Sequence, residues 1–221
     1  MMNMRATIIP SVVPMSFEEI GDARARYAAF ATELHVDIVD GQFAPHRTWV
    51  PMPGERLPDA KDILYEGHLM TTNPLPVGVA LAMAGVRRIY AHVESFAHAD
   101  AARDAFAMWR SAGAKEVGIA VLLSTPLESL APYAKLIDSV LIMSIARVGE
   151  QGIPFDERGL ARINDLKNRY PRLVIAVDGG MSCETVQRAV EAGATRVVVG
   201  SALKEAADPQ QEYQRLAAVC E

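Results

Sequence analysis

Residues 34–43 read LHVDIVDGQF, a β-rich run of strand length that spends three positions on His35, Asp37 and Asp40. Comparable apolar runs recur along the chain: ATIIPSVV from residue 6, DILYEGHLM from 62, RRIYAHVE from 87, EVGIAVLL from 116, SVLIMSI from 139, LVIAVDGG from 173 and RVVVGSAL from 196. Between most of them lie segments with apolar residues at helical spacing, at 16–33, 98–113, 154–170 and 182–193. One exception is expected after the second strand, where residues 44–62 are rich in proline and glycine and predict an irregular loop with at most a short helix. Gly85, Gly113 and Gly193 stand just before the next strand and suit left-handed helix caps.

Alternating strand and helix implies parallel pairing with right-handed crossovers, and eight such units fit a single-domain (β/α)8 TIM barrel over residues 1–221. The competing architecture is a doubly wound open sheet, which usually carries uneven insertions at this number of units. No linker or low-complexity tract divides the chain.

Composition narrows the function classes. A formal charge of −5, from 22 basic and 27 acidic residues with no basic run, argues against nucleic acid as partner. No apolar run reaches the ~18–20 residues that a bilayer crossing needs, and the opening MMNMRATIIPSVV lacks the pattern of a signal peptide. Cys183 and Cys220 show no metal-motif spacing and are expected to pack on helices, so a cytoplasmic protein without a membrane partner is the expectation.

In a barrel of this kind, chemistry gathers at the C-terminal ends of the strands. His35 and Asp37 are two apart, so strand alternation sends both to the same inward face. His68 lies near the end of the third run and Asp178 near the end of the seventh. Two imidazoles and two carboxylates suit one divalent ion such as Zn²⁺, Fe²⁺, Mn²⁺ or Co²⁺. Taken singly, each is better explained as a hydrogen-bonded loop anchor than as a ligand. Together they are stronger, because two buried carboxylates without a cation are costly. Asp40 falls on the opposite face, precedes Gly41 and reads as a loop anchor. A second group is glycine-rich: Gly149 and Gly152 in VGEQG, Gly179 and Gly180 in DGG, Gly200 and Ser201 in VGS. Their location on the later strands suits a phosphate held by backbone N–H groups, against the plainer reading that glycine ends strands for conformational reasons.

The motifs IIPSVV, HVDIVDGQFAPH, GHLM, HVE, VDGG and VGSA, in this order, resemble the ribulose-phosphate 3-epimerase family of phosphosugar barrels nearly end to end. The resemblance implies His35, Asp37, His68 and Asp178 as metal ligands, with Asp37 and Asp178 also the acid/base pair. It further implies that Ser11, His68, Met70 and Met143 contact a sugar phosphate, and a homo-oligomer is expected. His92 and Glu94 are expected to support the site from behind.

Three departures stand out. Val39 replaces a methionine of the family and His46 an asparagine, and SIARVGEQGIPF replaces a run similar to Asn-Pro-Gly-Phe-Gly-Gly-Gln. In that loop Arg147 either grips phosphate with two parallel hydrogen bonds or is a solvated loop residue. The reaction implied is inversion at C3 of a ketose phosphate, with D-ribulose 5-phosphate first and allulose 6-phosphate as runner-up. A decarboxylase or aldol-type barrel would want a lysine beside the acidic cluster, and residues 35–40 contain none. A metal-holding phosphosugar binder without catalysis is the reading of another class.

Overall fold

The computed structural model describes residues 6–150 and 152–220. The opening residues read above for a signal peptide begin in 1–5, and Gln151 belongs to the altered loop; these positions lie outside the described residues. Eight strands, β1 (Thr7–Val12), β2 (Glu33–Val39), β3 (Leu64–Met70), β4 (Arg88–His92), β5 (Glu116–Val121), β6 (Ser139–Met143), β7 (Val174–Asp178) and β8 (Arg196–Val199), pair in sequence order and close into a parallel barrel. Around it run α1 (Phe17–Tyr27), α2 (Pro74–Ala84), α3 (Ala99–Ala112), α4 (Arg158–Arg169), α5 (Cys183–Ala192), α6 (Ser201–Lys204) and α7 (Pro209–Ala218). The fold is the (β/α)8 barrel that the alternation predicts, and the open sheet is excluded by closure of β1 on β8. Among the described residues no helix is long and apolar enough to cross a membrane.

Local chemistry sets the boundaries. Gly85, Gly113 and Gly193 end α2, α3 and α5 at φ of 112°, 130° and 118°, values that only glycine adopts at little cost. At the start of α5, Ser182 accepts from the Thr185 N–H while the Thr185 hydroxyl accepts from the Ser182 N–H, a reciprocal capping box. Residues 44–62 form no helix, as expected. The sequence predicts one crossover without an α-helix, whereas two lack one. Between β5 and β6 only a 3₁₀ turn, Leu127–Leu130, is present, flanked by Pro126 and Pro132, which cannot sit inside a longer helix. Cys220 also differs from expectation: it lies beyond the end of α7, buried against the core rather than on the helix.

Every barrel strand is buried on both faces, which explains why these strands read as apolar runs rather than alternating ones. On β2, Leu34, Val36 and Ile38 join the layer between sheet and helices, and Val39 joins the barrel interior with Met70, Tyr90, Ala120, Leu141, Met143, Ala176 and Val198. Below these, the interior is charged. Arg88 is almost fully buried and donates to Glu33 at 2.7 Å, Glu66 at 2.8 Å and Glu116 at 3.1 Å, and Arg196 donates to Glu116 at 2.9 Å.

Gly118 makes room inside this layer, because a Cβ there would lie 2.4 Å from the Tyr90 ring and 2.8 Å from the Ser139 carbonyl oxygen. Backbone on one side and a buried ring on the other leave little room to adjust. Gly118→Ala is therefore expected to destabilise the fold by about 1–3 kcal/mol, measured by denaturant unfolding; an unchanged midpoint would show that the interior yields freely.

Candidate metal and sugar-phosphate site

The β2–β3 register builds the centre of the site. It pairs His35 with Glu66 and Asp37 with His68 across adjacent parallel strands. Asp178 arrives as the last residue of β7. One ligand atom from each of His35, Asp37, His68 and Asp178 lies within 4.8 Å of the others. His35 Nε2 is 3.2 Å from Asp37 Oδ1, His68 Nδ1 is 2.9 Å from the same oxygen, and His68 Nδ1 is 3.8 Å from Asp178 Oδ2. The four residues singled out in the sequence thus come together. His35 sits deeper than the others, in mid-strand rather than at the strand end.

The donor set fits a divalent ion. Both ring nitrogens of His35 face carboxylates, Nδ1 at 2.5 Å from Glu66 Oε1 and Nε2 toward Asp37. Such a ring must be an imidazolium, or must share a cation with Asp37 on its Nε2 side. Burial opposes its protonation, but the charges and hydrogen bonds of Asp37 and Glu66 prevail and raise its pKa well above the usual histidine value. Burial also pushes Asp37 up, but the two histidines outweigh it and hold that carboxyl well below the usual range. Asp178 moves the other way, to about 6, through burial and then the neighbouring Asp37 charge. Two carboxylates of unequal proton affinity therefore face one space, the combination that divides base from acid.

Supporting groups surround this cluster. His92 Nε2 lies 2.9 Å from His68 Nε2, and its Nδ1 lies 3.2 Å from Glu94 Oε2. Burial pushes the His92 pKa down to about 4, which keeps the ring neutral near pH 7 despite Glu94. Glu94 in turn accepts from the Leu122 N–H at 3.1 Å and from the Thr125 hydroxyl. Phe43 covers His92 with ring centroids 4.6 Å apart. Asp40 acts on the loop: its Oδ1 accepts from the Gln42 and Phe43 N–H groups at 2.8 and 2.7 Å, and its Oδ2 from the Thr72 N–H at 2.7 Å. Glu66 was missed in the sequence, although the spacing that paired His35 with Asp37 also pairs Glu66 with His68.

A cavity opens above the cluster, lined by Ser11, Asp37, Met70, Met143, Gly149, Gly152, Asp178, Gly179, Gly180, Gly200 and Ser201. These residues come from β1, β2, β3, β6 and β7 and from the segments that follow β6, β7 and β8. Glu150, Ile145, Ile153 and Met181 line it as well, and no lysine or arginine does among the described residues. Arg147 is absent from that lining; its side chain is 70% exposed and its Nε lies 3.7 Å from Glu150 Oε2. Close packing explains the glycines at the later strand ends. A Cβ on Gly179 would fall 2.6 Å from Ile145 Cγ2, and one on Gly180 would fall 2.3 Å from the Phe155 nitrogen.

Two departures from the family pattern now have a structural setting. His46 takes φ of 72°, a left-handed conformation that asparagine adopts more readily than most side chains. Val39 is buried in the interior cluster beside Met70 and Met143, so a shorter apolar side chain fills that position.

The model of the ribulose-phosphate 3 epimerase family matches residues 7–204. A ribulose-phosphate 3-epimerase of Schizosaccharomyces pombe is 29% identical over 212 residues, covering 94% of this chain and 91% of the relative. One of Mycobacterium leprae is 33% identical, covering 93% of this chain and 91% of the relative. Among solved structures, the 3-hexulose-6-phosphate synthase of Salmonella typhimurium superimposes with a TM-score of 0.69 at 14% identity, over 96% of this chain and 97% of that one, a likeness of fold alone. With a family match that spans all eight strands, the chain belongs to the ribulose-phosphate 3-epimerase family.

Proposed function

We propose that the chain is a metal-dependent epimerase that inverts C3 of a ketose phosphate, D-ribulose 5-phosphate to D-xylulose 5-phosphate. The observation that carries this reading is the pair Asp37 and Asp178, brought from β2 and β7 to one cavity and backed by His35 and His68. The relatives named as ribulose-phosphate 3-epimerases support the substrate.

The chemistry follows from the residues. Inversion at C3 breaks the C3–H bond, with the proton passing to one carboxylate and the electron pair delocalising onto the C2 oxygen. The other carboxyl then returns a proton to C3 from the opposite face. Asp37 and Asp178 exchange these roles with the direction of the reaction. His35, Asp37, His68 and Asp178 would hold the divalent ion, which when bound offsets negative charge on the sugar oxygens. Ser11 and Met70 bound the reacting end of the substrate, while Gly179, Gly180, Gly200 and Ser201 supply a phosphate cradle with no cationic side chain. Binding of the phosphate then rests on backbone N–H groups and a hydroxyl.

Another ketose phosphate, such as D-allulose 6-phosphate, is the second reading, and the lining of the cavity by Glu150 from the altered loop favours testing it. The free thiols Cys183 and Cys220 support a reducing cytoplasm as the compartment. Exposed Met15 and Val50, on loops joined by the Trp49 N–H to Pro14 carbonyl bond, support a homo-oligomer.

A panel of ketose phosphates assayed alongside metal analysis of the same sample tests the function. Epimerisation of D-ribulose 5-phosphate with close to one divalent ion per chain is expected; turnover of allulose 6-phosphate alone would move the substrate, and binding without turnover of any would make the chain a binder. Asp37→Asn and Asp178→Asn should each lose at least about a hundredfold in kcat, and either variant at wild-type rate would remove that carboxyl from the reaction. Chelator treatment should abolish activity and divalent ion restore it; undiminished turnover after verified metal removal would exclude the metal's role.

A further inference from the structure

We infer that Glu66 is the positioning residue that commits His35 to the metal through Nε2 and strengthens it as a ligand, an inference that rests on the metal reading above. Glu66 is fully buried and divides its carboxylate between two duties. Its Oε1 lies 2.5 Å from His35 Nδ1, and its Oε2 accepts from Arg88 Nη1 at 2.8 Å. The guanidinium keeps Glu66 an anion in a place where an unpaired carboxylate would be costly. Arg88 is itself fixed by Glu33 at 2.7 Å and by Glu116 at 3.1 and 3.3 Å. Glu66 cannot swing away without leaving a buried charge unpaired. An anionic acceptor at Nδ1 requires the proton on that nitrogen, so the lone pair remains on Nε2, the nitrogen facing Asp37.

The two histidines of the cluster are thereby made unequal. His35 is backed directly by a carboxylate, whereas the second nitrogen of His68 meets the imidazole of His92. A carboxylate pulls harder on the N–H proton than an imidazole does, so His35 is the more basic ligand of the two. The competing account makes Glu66 only a counter-ion of Arg88 in the barrel floor. Glu116 separates the two accounts, because it also accepts from Arg88, and from Arg196, but its hydrogen bonds reach no residue of the metal cluster.

The test uses Co²⁺ as probe, with affinity from chelator competition and the visible absorption of the bound ion as a second readout. Glu66→Gln should bind Co²⁺ about 10–100-fold more weakly than wild type and shift its spectrum, while Glu116→Gln keeps wild-type affinity and spectrum. Equal affinity in wild type and Glu66→Gln would overturn the inference, as would equal losses in both variants. Should Glu66→Gln fail to fold, histidine ¹⁵N spectra of the Zn²⁺-loaded wild type decide. Protonated Nδ1 with metal on Nε2 of His35 supports the inference, and metal on Nδ1 contradicts it. A wild-type chain that binds no Co²⁺ overturns the metal reading and the inference together; tight wild-type binding matched by Glu66→Gln overturns the inference alone.

Discussion

Parallel pairing of β2 with β3 in one register is the constraint on which the site depends. It sets His35 beside Glu66 and Asp37 beside His68, so three of the four candidate ligands and the carboxylate behind them come from two neighbouring strands. A slip of one residue would turn the polar positions of β2 toward the helices and bring Val36 and Ile38 inside. The apolar layer prevents this, because Leu34, Val36 and Ile38 are completely buried between sheet and helices. Hydrophobic burial outside the barrel thus fixes polar chemistry inside it.

The interior is stratified by charge. Its floor holds Arg88 and Arg196 against Glu33, Glu66 and Glu116, and its roof holds two histidines and two aspartates. Glu66 belongs to both layers. Burial raises its pKa, but the His35 bond and charge and then Arg88 bring it down to about 2, so it stays ionised at neutral pH. Breaking the buried Glu66–Arg88 pair costs about 3–5 kcal/mol, and Glu66 alone of the floor carboxylates also bonds a residue of the roof. The loop after β6 answers to a different constraint. Ile145 and Val148 turn inward, and at φ of 83° Gly149 packs where a Cβ would fall 2.9 Å from that of Ala44.

Much of the fold was legible in the sequence because barrel strands, buried on both faces, leave apolar runs separated by glycine caps. The 3₁₀ crossover between β5 and β6 was not, since apolar residues in LESLAPYAKLI suit either a turn or a helix until the two prolines are weighed. In the site, period-two spacing revealed His35 and Asp37, and Asp40 separated from them by parity. The same rule applied to EGHLM places Glu66 on the inward face beside His68, but its role shows only with its partners, and Arg88 lies on the next strand. Loop geometry was the least legible. By residue type Arg147 suits either a phosphate ligand or a solvated loop residue; its side chain is exposed, and its near neighbour Glu150 lines the cavity.

The central claim is that Asp37 and Asp178 move a proton on and off C3 from opposite faces. Turnover of D-ribulose 5-phosphate in deuterated water, followed by NMR of the product, tests it most directly. Deuterium should appear at C3 of the epimerised sugar and nowhere else on the carbon chain. Product formed at the full rate with protium retained at C3 would contradict a two-carboxylate proton exchange and the account built on it.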